Sequence, residues 1–513
     1  MASYICGIDG GTECLKAAIY DLDGNLIALS SKPYTTYYEK PGWAEQRIDE
    51  WRDSLICSVK DVILKSGINP KDIIGIGADG TCCTVVFLDK DNNPTRDPII
   101  WMDVRSSVEA KLIESIDMSP RKYNGWGPVS AEWFPCKNLW VKKNQPDIFK
   151  KTTTIVEYTD WLTHELTGKW TISIATATVR GYYDNRNGGW PKDFYEAIGL
   201  KEIFDKIPEK VLRLGTLVGG VSKEFSDKTG LPEGTPVGEG CYDAGSACIG
   251  SNSHNAGQVF FVAGSGSYLQ INLDKEFHSK GIWGSYPDII VDNYAIEGGQ
   301  TSTGSILKWF KSNFINSAIE EKAKNENMTI YKYLDYEAEK LPPGSEGIVM
   351  VEHFQGNRTP FVDSESRGVI RGLSLKHNTI NIYRSIMEAC AYGLETIFRV
   401  IKSNNFYIKE IIACGGHMNS DLWARIYSNV TGLPIKRTAN PEAATTGSAI
   451  LGGVAAGAFS DINDGANRMV KFKEDVLPDK NDFDKYAAYV DKYISTYNAL
   501  KDTNPELNEL AKL

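Results

Sequence analysis

Two segments far apart in the chain share one pattern: an apolar strand, a loop of small residues, and a second strand. The first segment runs from Tyr4 to Tyr20 around the loop Asp9-Gly10-Gly11-Thr12, and the second runs from Gln258 to Leu273 around Gly264-Ser265-Gly266-Ser267. Because the unit opens each half of the chain, the pattern indicates internal duplication. Elsewhere helical and strand-like segments alternate, as in Ile48 to Ser66 and then Ile73 to Ala78, which predicts the α/β class.

Length and composition set the domain organisation. The 513 residues suggest two or three domains, and the polar, small-residue stretch at 250–256 is a plausible boundary. We therefore expect domains at 1–250 and 251–475, followed by a charged amphipathic helix and tail at 476–513. Apolar residues make up 42% of the chain, enough for an ordinary core, and ten cysteines without CxxC spacing indicate reduced thiols.

Charge and hydropathy exclude several classes of partner. The net charge is −10 and no run of Lys or Arg stands out, which argues against nucleic acid and anionic membranes. The start, Met1-Ala2-Ser3-Tyr4, lacks the features of a signal peptide, and we find no apolar stretch of about 18 residues. These features predict a cytoplasmic protein, for which a homodimer is a common state.

Both small-residue loops have the chemistry of a phosphate site. Glycines let backbone N–H groups approach an anion, the Thr12 hydroxyl adds a donor, and Asp9 at a strand end can hold Mg²⁺ through water. A tight turn that needs glycine explains each loop equally well when it is taken alone. The pair is more informative, since two such loops facing each other could clamp one polyphosphate.

Two further segments are open to a functional and a structural interpretation. Gly415 and Gly416, after the strand Ile411 to Ala413, could seat a nucleoside or phosphate, or could serve helix–sheet packing. Asp243, among the small residues of Gly240 to Ser246, could accept a proton in phosphoryl transfer or could cap a helix.

Taken together, these segments resemble the FGGY family of carbohydrate kinases over nearly the whole chain. The resemblance lies in the order and spacing of Gly7–Thr12, the W-x-D-x-R element Ile100–Arg105, Gly240–Gly245, Gly264–Gly266, Glu297–Trp309 and Gly415–Ser420. It implies two actin-like, ribonuclease H-like ATPase domains, the fold shared by actin, hexokinase and chaperone ATPases.

The resemblance also implies roles for single residues, with ATP and Mg²⁺ as cofactors. Asp243 would be the base that activates a terminal hydroxyl, and Asp9 would stand near Mg²⁺. The implied phosphate-binding residues are Gly11, Thr12, Gly264, Ser265 and Gly266, and those around adenosine are Gly304, Lys308, Gly415, Gly416 and Ser420.

The sugar side is most similar to ribulokinases. Val129–Lys137 resembles their S-S-E-W-x-x-x-K element, and Arg180 stands where they carry a lysine, while Ala78–Cys82 lacks the Gln of xylulokinases and the Arg-Glu pair of glycerol kinases. The implied substrate-binding residues are Thr81, Cys82, Trp101, Asp103, Glu132, Trp133, Arg180, Asp243 and Glu297. The expected reaction is phosphorylation of a ketopentose, first D-ribulose, then L-ribulose, xylulose or a polyol such as erythritol.

Other interpretations of the same residues stay open. Trp101 and Trp133 could be core aromatics, and Glu132 a surface residue. A chaperone-like or filament-forming nucleotide-binding protein could share the fold, because a fold alone does not determine function. The sugar-side residues distinguish the two classes, since a chaperone or filament would not need them.

Overall fold

Two mixed sheets, each flanked by helices, run through residues 3–511, which the computed structural model describes. In the N-terminal half, residues 3–250, the strands are β1 (Tyr4–Gly10), β2 (Cys14–Asp21), β3 (Leu26–Pro33), β4 (Ile73–Gly80), β5 (Val85–Leu88), β6 (Pro94–Ile99), β7 (Thr154–Glu157), β8 (Ile172–Ser173), β9 (Val211–Leu212), β10 (Leu217–Gly220), β11 (Pro236–Gly238) and β12 (Cys241–Tyr242). The helices of this half are α1 (Ile48–Ser66), α2 (Ser107–Glu114), α3 (Phe134–Asn144), α4 (Pro146–Lys151), α5 (Tyr158–Thr167), α6 (Ile174–Thr178), α7 (Lys192–Ala197), α8 (Lys223–Thr229) and α9 (Asp243–Gly250), with 3-10 turns at Pro70–Asp72, Ser119–Asn124 and Lys201–Asp205.

The C-terminal half, residues 251–511, has fewer strands and longer helices. Its strands are β13 (Gln258–Ala263), β14 (Ser267–Leu273), β15 (Trp283–Pro287), β16 (Tyr294–Gln300), β17 (Val349–Val351), β18 (Val369–Arg371), β19 (Glu410–Cys414) and β20 (Ile435–Arg437). Its helices are α10 (Gly304–Phe314), α11 (Ser317–Asn325), α12 (Ile330–Glu339), α13 (Thr379–Ser403), α14 (Asp421–Thr431), α15 (Ala443–Ala455), α16 (Ile462–Met469), α17 (Lys480–Leu500) and α18 (Asn504–Leu510), with a 3-10 turn at Gly416–Asn419.

The two large sheets repeat one strand order, which confirms the predicted duplication and the α/β class. The first runs β3-β2-β1-β4-β11, with β10 beyond β11 and β12 also paired to β4; the second runs β16-β14-β13-β19-β20, with β15 outside β16. In the first sheet β1 is antiparallel to β2 and parallel to β4, and in the second sheet β13 is antiparallel to β14 and parallel to β19. The predicted strand–loop–strand units are therefore the central hairpins of the two sheets.

Helix α15 of the C-terminal half packs directly on the first sheet. A Cβ atom built on Gly77 in β4 would lie 2.0 Å from the Ser448 carbonyl oxygen, and one built on Gly7 in β1 would lie 1.9 Å from that of Thr445. A Cβ on Gly447 of α15 would lie 1.9 Å from the carbonyl oxygen of Ser246 in α9. Backbone therefore meets backbone along this contact, which we call the glycine seam, and no larger residue fits at these three positions.

The C-terminal helix packs into the second half, although the sequence suggested a separate segment. The predicted charged amphipathic helix is present as α17, and its side chains Tyr486, Val490 and Tyr493 are fully buried in the core of that half. Arg384 of α13 donates to the Tyr486 hydroxyl at 3.0 Å, and that hydroxyl donates to Glu388 at 2.9 Å. A buried hydrogen-bonded ion pair thus fixes α17 against α13.

Two further expectations bear on the environment of the protein. No helix within residues 3–511 is long and apolar enough to cross a membrane. All ten cysteines lie in the described part of the chain and are unpaired, with Cys57 exposed on α1 and seven of the others buried.

Gly77→Ala tests the glycine seam. The added methyl would overlap the Ser448 carbonyl, so α15 must shift from the first sheet; we expect destabilisation of about 1–3 kcal/mol and a Tm lower by several degrees in a thermal unfolding scan. Gly127→Ala is the matched control, because its Cβ would stand at an ordinary 3.5 Å from the nearest atom. A Tm equal to the wild-type value for Gly77→Ala would contradict this close packing.

Candidate active site

Three adjacent strands bring three carboxylates to one sheet edge. β1 and β12 both run parallel to β4, with Asp9 opposite Asp79 and Cys241 also opposite Asp79. Asp243 follows β12 directly, as the first residue of α9. Since the carboxyl ends of parallel strands meet at one edge, Asp9, Asp79 and Asp243 form a cluster, which we call the carboxylate cluster.

Burial disfavours the ionised form of the carboxyls in this cluster. Asp79 has no exposed surface; the Ser448 hydroxyl donates to its Oδ2, and its Oδ1 has no donor among the described residues. Burial, and then the neighbouring charge of Asp9, raise the pKa of Asp79 well above its ordinary value. Burial likewise raises the pKa of Asp9. The two carboxyls therefore share a proton or need a nearby cation to ionise together.

Asp243 is placed differently from its two neighbours. It is half-buried, and its Oδ1 accepts a hydrogen bond from the Ala244 backbone N–H at 2.8 Å. Burial raises the pKa of Asp243 to about 6, although that hydrogen bond favours the charged form. A carboxyl with this pKa can take up and release a proton near neutral pH.

The first loop, residues 9–12, is braced from behind. The Gly11 N–H donates to the Cys14 carbonyl at 3.1 Å, and the Gln46 side chain donates to the Thr12 carbonyl at 2.7 Å. The exposed Trp101 donates its indole N–H to the Thr12 hydroxyl oxygen at 3.0 Å. Trp101 is thus an exposed residue beside the loop and not a core aromatic.

The second loop, residues 264–267, holds the start of α10. The Thr303 and Ser305 N–H groups donate to the Ser265 carbonyl, and the Gly304 N–H donates to the Gly264 carbonyl, each at 2.9 Å. Gly266 approaches the Gln300 carbonyl too closely for a side chain, at 2.7 Å from an added Cβ. The Ser265 side chain is exposed and available to a ligand.

A pocket of about 580 Å³, which we call the large pocket, opens next to the second loop. It is lined by Gly264, Ser265, Gly304, Leu307, Thr329, Tyr331, Lys332, Asp335, Tyr383, Gly416, His417, Asn419, Ser420 and Trp423. Its volume suits a nucleoside, because pockets for ligands of that size span about 300–1,000 Å³. Four of the five residues predicted to bind adenosine lie in or beside it.

Those predicted residues do not all face the pocket in the same way. Gly416 has open space around it, whereas Gly415 has φ of +95° and an added Cβ would lie 2.4 Å from the Ala263 carbonyl. The Ser420 hydroxyl caps α14 by accepting the Trp423 N–H at 3.1 Å. Lys308 is exposed on α10 and is not among the lining residues. In this segment Gly415 is required for close packing, whereas Gly416 faces open space.

Arg180 is the centre of the predicted sugar side. Its Nη2 lies 3.2 Å from Glu297 Oε2, its Nε lies 3.8 Å from Glu132 Oε1, and its guanidinium stacks 5.2 Å from the centre of the Trp283 ring. The Tyr268 hydroxyl donates to the other oxygen of Glu297 at 2.8 Å. The backbone of Arg180 has φ of +64°, an uncommon conformation that the surrounding contacts must maintain.

This charged group lines a second, smaller cavity between the halves. The small cavity has a volume of about 150 Å³ and is lined by Asn124, Gly127, Pro128, Val129, Ser130, Arg180, Tyr268, Gly281, Trp283, Glu297, Gly298, Arg358, Thr359 and Val362. It is too small for a nucleoside and suits a small polar molecule.

Several residues predicted to touch substrate lie behind the cavity wall. Trp133 is fully buried and packs its ring on Tyr182 and Trp283. Thr81 is buried, with its hydroxyl 2.7 Å from that of Thr84, and Cys82 lies beside Arg180. These residues shape the wall and position the side chains in front of it.

Asp103 is not in the cleft. It has no exposed surface, and its carboxylate accepts hydrogen bonds from the Ala44 N–H and from the Arg105 guanidinium, which stacks 3.8 Å from the centre of the Trp43 ring. The substrate contact expected for Asp103 is therefore wrong for this structure. The W-x-D-x-R element anchors the loop that carries Trp101 instead.

Sequence reasoning missed four residues of the site. Asp79 and Ser448 are in or beside the carboxylate cluster, and Tyr268 and Trp283 line the small cavity. Asp79 stands at the end of a predicted strand next to the one carrying Asp9, and that adjacency was the available signal. Tyr268, Trp283 and Ser448 reach the site by long-range packing, for which the local sequence gives no signal. The lining of the large pocket by α12 was missed for the same reason.

Comparison with known proteins agrees with this geometry. Residues 4–250 match the FGGY family of carbohydrate kinases, N-terminal domain, and residues 259–456 match its C-terminal domain. A ribulokinase of Geobacillus thermodenitrificans is 29% identical, with 92% of this chain and 90% of that protein covered.

Solved structures share the fold at lower identity. A xylulose kinase from Rhodospirillum rubrum superposes with a TM-score of 0.87 at 24% identity, over 98% of this chain and 99% of the other. A Plasmodium falciparum glycerol kinase with ADP gives 0.82 at 21% identity, over 96% and 98%. The chain therefore belongs to the FGGY family of carbohydrate kinases and is a sugar kinase with two actin-like domains.

Proposed function

We propose that this kinase transfers the γ-phosphoryl group of ATP to the terminal hydroxyl of a ketopentose, with D-ribulose as the first candidate. The observation that carries the proposal is the Arg180–Glu297 pair in the small cavity, close enough to Asp243 for the guanidinium charge to favour the ionised form of that carboxyl. A polyhydroxylated substrate held there would have one end beside a base.

Asp243 acts as the general base in this proposal. Its carboxylate accepts the proton of the terminal hydroxyl as the hydroxyl oxygen attacks the γ-phosphorus, and the bond from that phosphorus to the β,γ-bridging oxygen breaks. Phosphoryl transfer depends mostly on positioning and charge stabilisation. In this proposal Thr12 and Ser265, on loops from opposite halves, would hold the phosphates between them, with the nucleoside in the large pocket.

The carboxylate cluster fits a magnesium ion that arrives with the nucleotide. No group of three or more His, Cys, Asp or Glu side chains within residues 3–511 is arranged to hold a metal alone. Mg²⁺ in phosphoryl-transfer sites needs fewer protein ligands, because waters and substrate phosphates complete its shell. Asp9 would hold it, and the bound ion would neutralise phosphate charge. A cation there would also let Asp9 and the orphaned oxygen of Asp79 stay ionised.

The choice of a ketopentose rests on cavity size, on side-chain chemistry and on the substrate for which the relatives are named. The small cavity is lined by Arg180, Arg358, Glu297 and Tyr268, whose polar side chains can hydrogen-bond several sugar hydroxyls. Relatives at 27–29% identity are named ribulokinases. L-Ribulose, xylulose and erythritol are the alternative acceptors, since sugars are discriminated by whether each buried polar group finds its hydroxyl.

A panel of acceptors tests the substrate. With Mg-ATP, we expect D-ribulose to give the highest kcat/KM among D-ribulose, L-ribulose, D- and L-xylulose, glycerol and erythritol, measured by coupled ADP release. A mismatched stereocentre leaves a buried polar group unpaired, so lower values by about 10²-fold or more are expected for the others. A polyol as the best acceptor would contradict the ketopentose assignment.

Asp243→Asn tests the base. Asparagine keeps the size of the side chain and an oxygen for the Ala244 N–H but cannot take up the proton, so kcat should fall by about 10²–10⁴-fold with little change in ATP binding. Asp274→Asn, an exposed position, is the matched control and should behave as wild type. Near-normal turnover of Asp243→Asn would contradict the assignment of Asp243 as the general base.

The acid limb of the pH profile should report Asp243. Because only the ionised carboxylate accepts a proton, kcat/KM for the sugar should rise about tenfold per pH unit below about 6 and level off above it. The residual activity of Asp243→Asn should lack this limb, which separates Asp243 from Asp9 and Asp79. A wild-type limb near pH 4 would mean that the carboxyl is not desolvated during catalysis.

A further inference from the structure

Two adjacent cysteines at the end of β4 have their sulfurs side by side. Successive side chains on a strand point to opposite faces, but β4 ends at Gly80 and Cys83 adopts φ of +60°. The turn brings Cys82 Sγ and Cys83 Sγ to 3.5 Å from each other. The Cys83 N–H donates to Glu157 at 2.9 Å, which fixes the turn.

A guanidinium covers both sulfurs on the cavity side. Arg180 Nη1 lies 3.5 Å from Cys82 Sγ and 3.5 Å from Cys83 Sγ, while its Nη2 reaches Glu297. A cation beside a thiol favours the reactive thiolate. Although burial opposes ionisation, the hydrogen bond from Cys82 and the Arg180 charge lower the pKa of Cys83. Cys83 therefore ionises more readily than Cys82, whose pKa is raised by its hydrogen bond to Cys83 and by burial.

We propose that Cys82 and Cys83 form a bidentate site for trivalent arsenicals and that its occupation disables the sugar side. The step is a condensation: R–As=O and two S–H groups give R–As(S–)₂ and one water, with two As–S bonds formed, the As=O bond broken and no change in oxidation state. Apart from the arsenical, no oxidant or co-reactant is required.

The distance between the sulfurs fits a bridging atom better than a direct bond. Two bonds of about 2.3 Å to one soft atom, about 100° apart, hold sulfurs about 3.5 Å from each other, as the two sulfurs stand here. A disulfide needs sulfurs about 2.05 Å apart and Cα atoms at least about 4.4 Å apart, whereas adjacent Cα atoms are about 3.8 Å apart. Capture by arsenic therefore needs less distortion than oxidation does.

The route to the sulfurs passes Arg180. Cys82 keeps 8% of its surface exposed while Cys83 has none, so the arsenical approaches from the side of Cys82 before it bonds to both sulfurs. A group bound to both sulfurs occupies the space of Arg180 Nη1 and removes the contacts that hold the guanidinium at Glu297. This consequence rests on the proposed function, because it concerns the sugar; the chelation does not.

Labelling with phenylarsine oxide tests the site in the intact protein. After treatment and a wash with excess 2-mercaptoethanol, which strips single-thiol adducts, intact-mass spectrometry should show one phenylarsenic group per chain. A subsequent wash with 2,3-dimercaptopropanol should remove it. Trypsin releases residues 72–90, which contain Cys82 and Cys83 and no other cysteine, so the label should map to that peptide.

Matched variants complete the test. Cys82→Ser and Cys83→Ser should each retain about tenfold less label, because one thiol cannot chelate, whereas Cys57→Ser, at the exposed cysteine, should label as wild type. Peptide mapping of the wild type decides the question even if a serine variant fails to fold. No monothiol-resistant label, or a label on another peptide, would overturn the site.

Turnover of the best acceptor separates the two parts of the inference. Activity should fall in proportion to labelling, and the acceptor should slow labelling. Full labelling with unchanged turnover would overturn the effect on the sugar side while leaving the chelate intact. Failure of D-ribulose as an acceptor would touch only the proposed function, since the adduct is measured by mass.

Discussion

The glycine seam between α15 and the first sheet is the contact on which the site depends. With no Cβ between the backbones, α15 lies close enough for the Ser448 hydroxyl to reach Asp79, and for Glu442 to pair with Lys16 at 2.8 Å. A helix from the C-terminal half thereby completes the surroundings of a carboxylate cluster that the N-terminal half builds. Packing of this density transmits small shifts, so a displaced α15 would disturb the cluster as well as the fold.

The carboxylate cluster determines how much negative charge stands next to the two loops. Three carboxyls lie at one sheet edge, and burial raises the pKa of each because it penalises the charged form. Bringing a polyphosphate between the two loops would add negative charge. In the proposed reaction, a cation bound with the nucleotide would offset this charge, because Mg²⁺ in phosphoryl-transfer sites needs few protein ligands.

The sequence predicts the features of this structure that depend on local interactions, and it fails for those that depend on contacts between distant segments. The central hairpins, α1, and the loops with Thr12 and Ser265 were predictable, because strand periodicity and glycine chemistry are local. Asp103 was misassigned because a W-x-D-x-R pattern does not reveal that Arg105 turns back to occupy the carboxylate. Tyr268 and Ser448 could not be found, since they reach the site only through pairing and packing between distant segments.

The Arg180–Glu297 pair shows that both halves of the chain contribute to the small cavity. Eight of the nine residues predicted to bind the substrate lie in the N-terminal half, yet one of them, Arg180, pairs with Glu297 of the C-terminal half at 3.2 Å. Removing one partner of such a pair would leave a buried charge uncompensated. Sugar hydroxyls can hydrogen-bond both Arg180 and Glu297 at once. These hydrogen bonds would replace part of the ion-pair interaction that is lost when the two side chains separate. A bound sugar would then bridge the two halves directly, and its fit would bear on how they close around the nucleotide.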